Sequence, residues 1–300
     1  MITNQYYGTV NVSCRTNIGK YRHANEDGYV ITSIPFYERQ VAEDDVPEEG
    51  ILLVVADGGG GSEAGRLACT LIHDYLLQEL KAEWRGENSI EALRIAIERS
   101  NLHLHKGALE NQSRNYFASI TAVFIEGDVA TVAQVGDTRA YLRRDKQFVQ
   151  VTIDQTLVEQ LLRQGISIKE QEKDFAYSNV VLQTLGSMPD IQIAFTEIHL
   201  KQLDRLLLCS DGLWWRVSDN EIKETLSSNF KIDEACQKLI ESALKKGGED
   251  DVTIIVVEAS GKDLPEKVEL ESPNQMFTIL TRLEDLPGLD EWSLRKEKEQ

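Results

Sequence analysis

Five acidic positions in the sequence combine carboxylate side chains with neighbours that suit a buried site. A carboxylate at the end of a buried strand, beside a glycine that lets the backbone approach closely, is well placed to hold a hard cation. Several such carboxylates on neighbouring strands would repel one another unless a cation neutralised them. Oxygen-only ligands select Mg²⁺ or Mn²⁺ over zinc. The five positions are Glu26–Asp27, Asp57, Asp137, Asp211 and Asp250.

Taken singly, each position is more often a turn or a helix cap than a metal ligand. The prediction of a metal centre therefore depends on all five together and on the elements that position them. Strands are predicted at Val10–Thr16, Gly28–Thr32, Ile51–Ala56, Ser119–Ile125, Val129–Val135, Arg139–Arg143, Phe148–Val151, Ile191–Thr196, Leu206–Cys209 and Val252–Val257. Helices are predicted at Ala64–Leu80, Ile90–Ile97, Thr156–Arg163 and Ile232–Ala243.

Consecutive strands with helices grouped between them favour an α+β fold. In such a fold antiparallel sheets carry helices on their outer faces, unlike the doubly wound βαβ arrangement. The sequence changes in character after Ala259, since residues 261–300 are charged and hold three of the six prolines. We expect a catalytic domain over residues 1–260 with an appended segment over 261–300. That segment either packs on its own domain or serves as a docking or autoinhibitory segment for a protein partner.

Composition narrows the class of ligand. The 300 residues carry 32 Lys and Arg against 50 Asp and Glu, a net charge of −18 at pH 7. This balance argues against nucleic acid or an anionic membrane as the partner, because both require clustered cations. The longest apolar runs fall far short of the ~20 residues of a membrane helix. Four cysteines without a Cys-x-x-Cys pair, and no secretory signal pattern, predict reduced thiols in the cytoplasm.

The order of these motifs resembles the metal-dependent Ser/Thr protein phosphatases of type 2C, in their bacterial form. The resemblance spans about residues 8–259. The segments that carry it are Arg22-x-x-Asn25-Glu26-Asp27, Val54–Gly58, Val135–Leu142, Val151–Asp154, Leu185–Gly186, Leu206–Leu213 and Gly248–Thr253.

The resemblance implies a four-layer αββα sandwich, two antiparallel β-sheets flanked by helices, with two metal ions and a third site at one end. It implies that Mn²⁺ or Mg²⁺ activates a bridging water, and that Arg22 binds the substrate phosphate. By position, Asp57 would bridge the two ions, and Gly58 would offer its carbonyl to one of them. Asp211 and Asp250 would complete the first site, and Glu26 and Asp27 would complete the second. Asp137 would form the third site together with Asp211.

Four features depart from the family pattern. Gly59 stands where eukaryotic members carry a histidine proposed as general acid, and Gln155 replaces the usual histidine after Asp154. Asp251 stands where the family has asparagine, which adds charge beside Asp250. The stretch Gly165–Leu185, which resembles the family's mobile flap, lacks the common arginine near Asn179.

The favoured hypothesis is a cytoplasmic phosphatase that removes phosphate from serine or threonine of a protein phosphorylated by a Ser/Thr kinase. A covalent phosphoenzyme is not expected, because no Cys-x₅-Arg loop supplies a nucleophile. The alternative of a different class is a pseudophosphatase that binds a phosphoprotein without turnover. A third hypothesis is hydrolysis of a small phosphoester.

Overall fold

The computed structural model describes residues 2–7, 10–35, 49–84, 88–110, 116–166, 180–261, 264–266 and 275–281. Its strands are β1 (Ile2–Tyr7), β2 (Val10–Asn17), β3 (Asp27–Pro35), β4 (Glu49–Gly59), β5 (Phe117–Glu126), β6 (Val129–Val135), β7 (Arg139–Arg144), β8 (Gln147–Gln150), β9 (Ala194–His199), β10 (Arg205–Cys209), β11 (Val252–Ala259) and β12 (Thr278–Ile279). Its helices are α1 (Ser62–Glu83), α2 (Ser89–Glu110), α3 (Leu157–Arg163), α4 (Asp211–Trp214), α5 (Asp219–Ser227) and α6 (Ile232–Lys245).

Two antiparallel sheets form the centre of the molecule. Within the described residues, sheet A has the strand order β1-β2-β11-β10-β7-β8, and sheet B has the order β12-β9-β6-β5-β4-β3. Apolar side chains on alternate positions of a strand face opposite sides of a sheet. Leu52 and Val54 of β4 accordingly pack under α1 and α2, whereas Leu53 and Val55 pack between the two sheets.

A third apolar layer lies on the outer face of sheet A. It joins Leu207 and Ile254 of the sheet to Leu213 and Leu239 of the helices α4 and α6. The layers therefore run helices, sheet B, sheet A, helices, which confirms the predicted α+β sandwich of two antiparallel sheets flanked by helices.

The strand predicted at Ile191–Thr196 is displaced, since β9 begins at Ala194 and ends at His199. The physical reason lies at Gln192. Its N–H donates to the side chain of Gln183, and its carbonyl accepts from Gln155 and Gln183. These side-chain partners replace the strand ladder at that residue.

Residues beyond Ala259 contribute to the core. Leu264 and Met276 are buried in the layer between the sheets, and β12 pairs with the edge strand β9. The Leu280 N–H donates to the carbonyl of Phe195 at 2.9 Å, and the Thr281 hydroxyl accepts from the Phe195 N–H at 2.7 Å. The predicted flap lies outside the described residues over 167–179.

Candidate metal centre

Sheet B brings three of the predicted residues to one end. The antiparallel register places Asp27, at the start of β3, opposite Asp57 near the end of β4. Asp57 in turn lies opposite Ser119 of β5, and Asp137 follows the end of β6 by two residues. Ser119 donates a hydrogen bond to the Asp137 carboxylate at 2.7 Å, which ties β5 to the loop that carries Asp137.

Sheet A brings two more carboxylates to the same end. Asp211 is the first residue of α4, two residues after β10, and Asp250 precedes β11. Because β10 and β11 are antiparallel neighbours, the end of one lies beside the start of the other. The Ser210 hydroxyl joins the sheets, since it donates to the Asp27 carboxylate at 2.7 Å and accepts from the Thr253 N–H at 2.9 Å.

These carboxylates are close enough to alter one another's ionisation. Burial, and then repulsion from Asp211 and Asp27, raises the pKa of Asp57 well above its usual range. Burial, and then repulsion from Asp137 and Asp250, raises the pKa of Asp211 in the same way. Asp57 and Asp211 therefore lie near each other and near the other carboxylates of the cluster. Such a pair has a strong electrostatic demand for positive charge.

Two further carboxylates of the cluster, Asp27 and Asp137, have smaller pKa shifts, because hydroxyl donors oppose the effect of burial. Burial raises the pKa of Asp27 to about 7 against the hydrogen bond from Ser210. Burial also raises the pKa of Asp137 to about 6 against the hydrogen bond from Ser119. Hydrogen bonds that favour the charged form explain the difference from Asp57 and Asp211.

Arg22 lies at the edge of this cluster with its guanidinium between two carboxylates. It forms an ion pair with Asp250 and donates to Glu26 at 3.3 Å. The Arg22 side chain is 37% exposed, so its guanidinium can be reached from solvent. Glu26 is buried, and its carboxylate lies against Gly65 in the first part of α1.

Glycines allow the backbone to approach closely at two points of the centre. A Cβ on Gly58 would lie 2.3 Å from the carbonyl oxygen of Gly65, so only glycine lets β4 end against α1. Gly136 has a φ of 104° and a Cβ on it would lie 2.3 Å from the Ser119 hydroxyl. The turn that carries Asp137 therefore requires glycine both for its backbone angle and for space.

The donor set is made only of oxygen, which suits Mn²⁺ or Mg²⁺. In the part of the chain that the structure describes, no three His, Cys, Asp or Glu side chains stand with the spacing to hold one ion. Several of these carboxylates have other partners instead: Ser210 for Asp27, Ser119 for Asp137 and Arg22 for Asp250. The oxygen chemistry of these residues nevertheless fits the ions.

Two departures from the family pattern have local explanations. A Cβ on Gly59 would lie 2.2 Å from the ring of Phe117, so Phe117 occupies the space that a larger residue at position 59 would need. Gln155 is buried and stabilises the turn at Gly136. Its side-chain oxygen accepts a hydrogen bond from the Gly136 N–H at 2.7 Å. Its backbone N–H donates to the Gly136 carbonyl at 2.9 Å.

Trp214 lies beside the site and is not among the site residues predicted from the sequence. Its indole N–H donates to the carbonyl of Asp137 at 3.1 Å. The Arg139 guanidinium lies 3.6 Å above its ring, and Trp215 stacks on it with 38% of its surface exposed. The supporting roles of Ser119 and Ser210 were not predicted either. Ser210 directly precedes Asp211, whereas Ser119 becomes visible only through the strand register.

Two facing antiparallel sheets with outer helices and a carboxylate cluster at one end define a divalent-metal enzyme of the αββα sandwich class. The sequence profile of the family Protein phosphatase 2C matches residues 40–250, and the chain belongs to this family.

Named relatives agree with that assignment. The chain is 32% identical over 259 residues to the serine/threonine phosphatase stp of Listeria monocytogenes, covering 84% of this chain and 96% of the relative. The S. agalactiae serine/threonine phosphatase structure matches with a TM-score of 0.74 at 26% identity, over 84% of this chain and all of that chain. The catalytic domain of the phosphatase PstP in complex with two manganese ions matches with a TM-score of 0.69 at 28% identity, over 84% and 99%.

These matches confirm the predicted family and its dependence on Mn²⁺ or Mg²⁺. Among the described helices, none has the length and apolar character needed to cross a membrane.

Proposed function

We propose that this chain hydrolyses phosphoserine and phosphothreonine in proteins with the help of two Mn²⁺ or Mg²⁺ ions. The observation that carries the proposal is the convergence of carboxylates from both sheets beside one exposed guanidinium. When bound, two such ions lower the pKa of a shared water and stabilise the charge that develops on the phosphoryl group.

The positions of individual residues support a role for each of them. Asp57 and Asp211, each surrounded by the other carboxylates of the cluster, would share the centre of the site and hold the ions jointly. Asp250 completes the site on sheet A, and Glu26 with Asp27 complete it on sheet B. Asp137, held by Ser119 beside this centre, supplies a third ion site, and the carbonyl of Gly58 adds a neutral oxygen ligand.

Arg22 is the residue that binds the substrate phosphate. A guanidinium can donate to two phosphate oxygens at once, which fixes the phosphoryl group and offsets its charge. In the structure the same guanidinium has two carboxylate partners, Asp250 and Glu26. Substrate phosphate therefore has to replace these two carboxylates as the partner of the Arg22 guanidinium. Cation binding at Asp250 and Glu26 favours that exchange.

We infer in addition where the substrate comes from, which segment binds a partner and in which compartment the protein acts. The substrate is the product of a Ser/Thr kinase, and residues 261–300 form a segment that binds a protein partner, with β12 as its attachment to the domain over 1–260. The protein acts in the cytoplasm, which is supported by four cysteines that are all buried and unpaired.

Hydrolysis of a phosphopeptide and of p-nitrophenyl phosphate, measured with Mn²⁺, with Mg²⁺ and with EDTA, tests the proposal. We expect activity that needs a divalent ion and falls at least ~10³-fold in Asp57→Asn, because the central ligand loses its charge. The matched control is Asp128→Asn, at the opposite end of β6 from Asp137, which should retain wild-type activity. Phosphopeptide binding without turnover under any ion would favour the pseudophosphatase instead.

A further inference from the structure

Asp251 is a buried carboxylate for which sequence analysis gave no positional role. Its side chain lies beside the metal centre with only 2% of the residue exposed. One carboxylate oxygen accepts from the backbone N–H of Gly19 at 2.8 Å. The other accepts from the backbone N–H of Glu26 at 2.7 Å. Both oxygens are thus used, and both partners are backbone amides more than 220 positions away in the sequence.

The two amides lie at the two ends of the segment Gly19–Glu26, which we call the arginine loop because it carries Arg22. The loop rests on the turn before β11. The Lys20 N–H donates to the carbonyl of Gly248 at 2.7 Å, and the Arg22 N–H donates within the loop to the Gly19 carbonyl at 3.1 Å. A Cβ on Gly19 would lie 2.6 Å from the carbonyl carbon of Asp250, so the loop and the turn are in direct backbone contact.

Asp251 also borders the segment that carries Asp211. A Cβ on Gly212 would lie 2.0 Å from the Asp251 carbonyl oxygen, which shows how closely the start of α4 packs on this residue. Asp251 therefore touches three parts of the centre: the arginine loop, the start of α4 and, through the chain itself, Asp250.

We propose that Asp251 is a positioning residue that fastens both ends of the arginine loop and so sets where Arg22 and Glu26 stand relative to Asp211 and Asp250. The proposal rests on the proposed function, because it assumes that Arg22 binds substrate phosphate and Glu26 binds the ion. Asp251 itself touches neither substrate nor ion.

The two N–H partners of residue 251 need two acceptor atoms. A carboxylate has only acceptor atoms, so it can satisfy both N–H groups. An asparagine amide has one acceptor and one donor group, so one of the two N–H groups would face another N–H. A buried N–H without an acceptor is strongly unfavourable. The family pattern has asparagine at this position. The aspartate found here supplies an acceptor oxygen to each of the two backbone N–H groups, those of Gly19 and Glu26.

The test compares Asp251→Asn with a matched control, Asp204→Asn. Asp204 is equally buried and also accepts from a backbone N–H, that of Lys201 at 2.9 Å, as well as from Arg144. Asp204 directly precedes β10 and Asp211 follows it, so the control residue lies at the end of that strand away from the metal centre. Three quantities are measured on each full-length protein: amide hydrogen exchange by NMR, Mn²⁺ affinity by calorimetry, and KM with kcat on a phosphopeptide.

In Asp251→Asn we expect the amide of Gly19 or Glu26 to exchange at least ~10-fold faster, because its acceptor is lost. Loosening of the loop should raise KM for the phosphopeptide about 10-fold and weaken Mn²⁺ binding several-fold, with a smaller change in kcat. Asp204→Asn should accelerate exchange at Lys201 and leave KM and Mn²⁺ affinity within about twofold of wild type.

The proposal is overturned if Asp251→Asn leaves the Gly19 and Glu26 amides protected, or if Asp204→Asn changes KM and Mn²⁺ affinity as much as Asp251→Asn does. If the Asp251→Asn protein fails to fold, hydrogen exchange is measured on the wild-type protein instead. The proposal is then contradicted if the backbone amides of Gly19 and Glu26 exchange as fast as solvent-exposed amides. A wild-type protein without phosphatase activity would refute the proposed function. Hydrogen exchange and Mn²⁺ affinity do not depend on turnover, so the effect of Asp251 on the arginine loop could still be measured in that case.

Discussion

Arg22 makes contact with Asp250 and Glu26 together, and this double contact predicts what a lysine would do at position 22. A guanidinium is a planar group with several donors, whereas an ammonium is a compact charge on a flexible stem. In Arg22→Lys we expect kcat/KM on a phosphopeptide to fall ~30-fold, mainly through KM, because bidentate contact with the phosphate is lost. Steady-state kinetics at saturating Mn²⁺ measure this.

The control for that substitution is Arg94→Lys on α2, since Arg94 also pairs with two carboxylates, Glu91 and Glu98. Arg94 is on the helix surface, and exchange of one cation for another there should leave kcat/KM unchanged. A wild-type kcat/KM in Arg22→Lys would contradict the role of Arg22 in binding phosphate.

At the scale of residues, the sequence is sufficient to select carboxylates that the structure brings to one end of the sheets, but not their hydrogen-bond partners. A carboxylate beside glycine at a strand end is a local pattern, and Asp57 and Asp211 are recognised by it. Ser119 is different, because it reaches Asp137, 18 positions further along the chain, only through the pairing of β5 with β6. Such a contact depends on tertiary structure, which local sequence does not specify.

Among the elements, the turn between β6 and β7 is linked to the start of β9 through Gln155. Its side-chain oxygen accepts from the Gly136 N–H, and its side-chain N–H donates to the carbonyl of Gln192 at 3.0 Å. In Gln155→Ala the buried N–H of Gly136 loses its acceptor, whereas the carbonyl of Gln192 keeps the donor from Gln183. We expect a loss of about 1–3 kcal/mol in the free energy of unfolding, measured by urea denaturation.

Gln160→Ala is the matched control for this substitution. Gln160 is also buried, but its side-chain oxygen has no hydrogen-bond partner. Its removal should therefore lower the free energy of unfolding clearly less than removal of Gln155. Equal losses in the two variants would show that the Gln155 contacts add nothing beyond burial.

The strand β12 covers the edge of sheet B beside β9. Met276 is 2% exposed in the layer between the sheets, and burial of such a side chain contributes ~1.5–3 kcal/mol. A protein ending at residue 274 should therefore unfold at a temperature several degrees lower and aggregate more readily, because an open strand edge invites pairing.

A protein ending at residue 282 is the control for this truncation. It keeps Met276 and the hydrogen bond between Leu280 and Phe195, so its unfolding temperature should stay within about a degree of that of the full chain. Equal destabilisation by both truncations would contradict the importance of β12.

The elements that the sequence predicts well are those with a strong apolar pattern. The run Ile51–Ala56 is buried on both faces and lies within β4 as expected. By contrast, β1 and β12 were not predicted. Thr278 and Ile279 of β12 are exposed, so no alternation of burial marks the strand. Its existence depends on the free edge of β9 and on the nearby burial of Met276, neither of which is local.

Across the whole molecule, the three apolar layers are joined by strands whose side chains alternate between them. Leu52 and Leu53 are neighbours in β4, yet they belong to different layers. In β11, Ile254 packs under the outer helices of sheet A and Ile255 packs between the sheets. A layer cannot lose its packing without disturbing the strand that also supports the next layer. We therefore expect one cooperative unfolding transition.

The four cysteines report on these layers separately. Cys69 lies in the layer between sheet B and its helices, Cys14 between the sheets, and Cys209 with Cys236 under the helices of sheet A. All four are buried, and burial raises the pKa of each thiol, that of Cys236 to about 12. A thiol reagent such as DTNB acts on the thiolate, so the native protein should react very slowly.

Pulse labelling of the thiols along a urea series, with each cysteine identified by mass spectrometry, tests the cooperativity. If the layers unfold together, the four cysteines become reactive with one midpoint, and that midpoint coincides with the loss of helical circular dichroism. The control is labelling in 6 M guanidinium chloride, where all four should react at once. Labelling of Cys69 at clearly lower urea than Cys14 would contradict the argument, because the helices on sheet B would then separate while the layer between the sheets stayed closed.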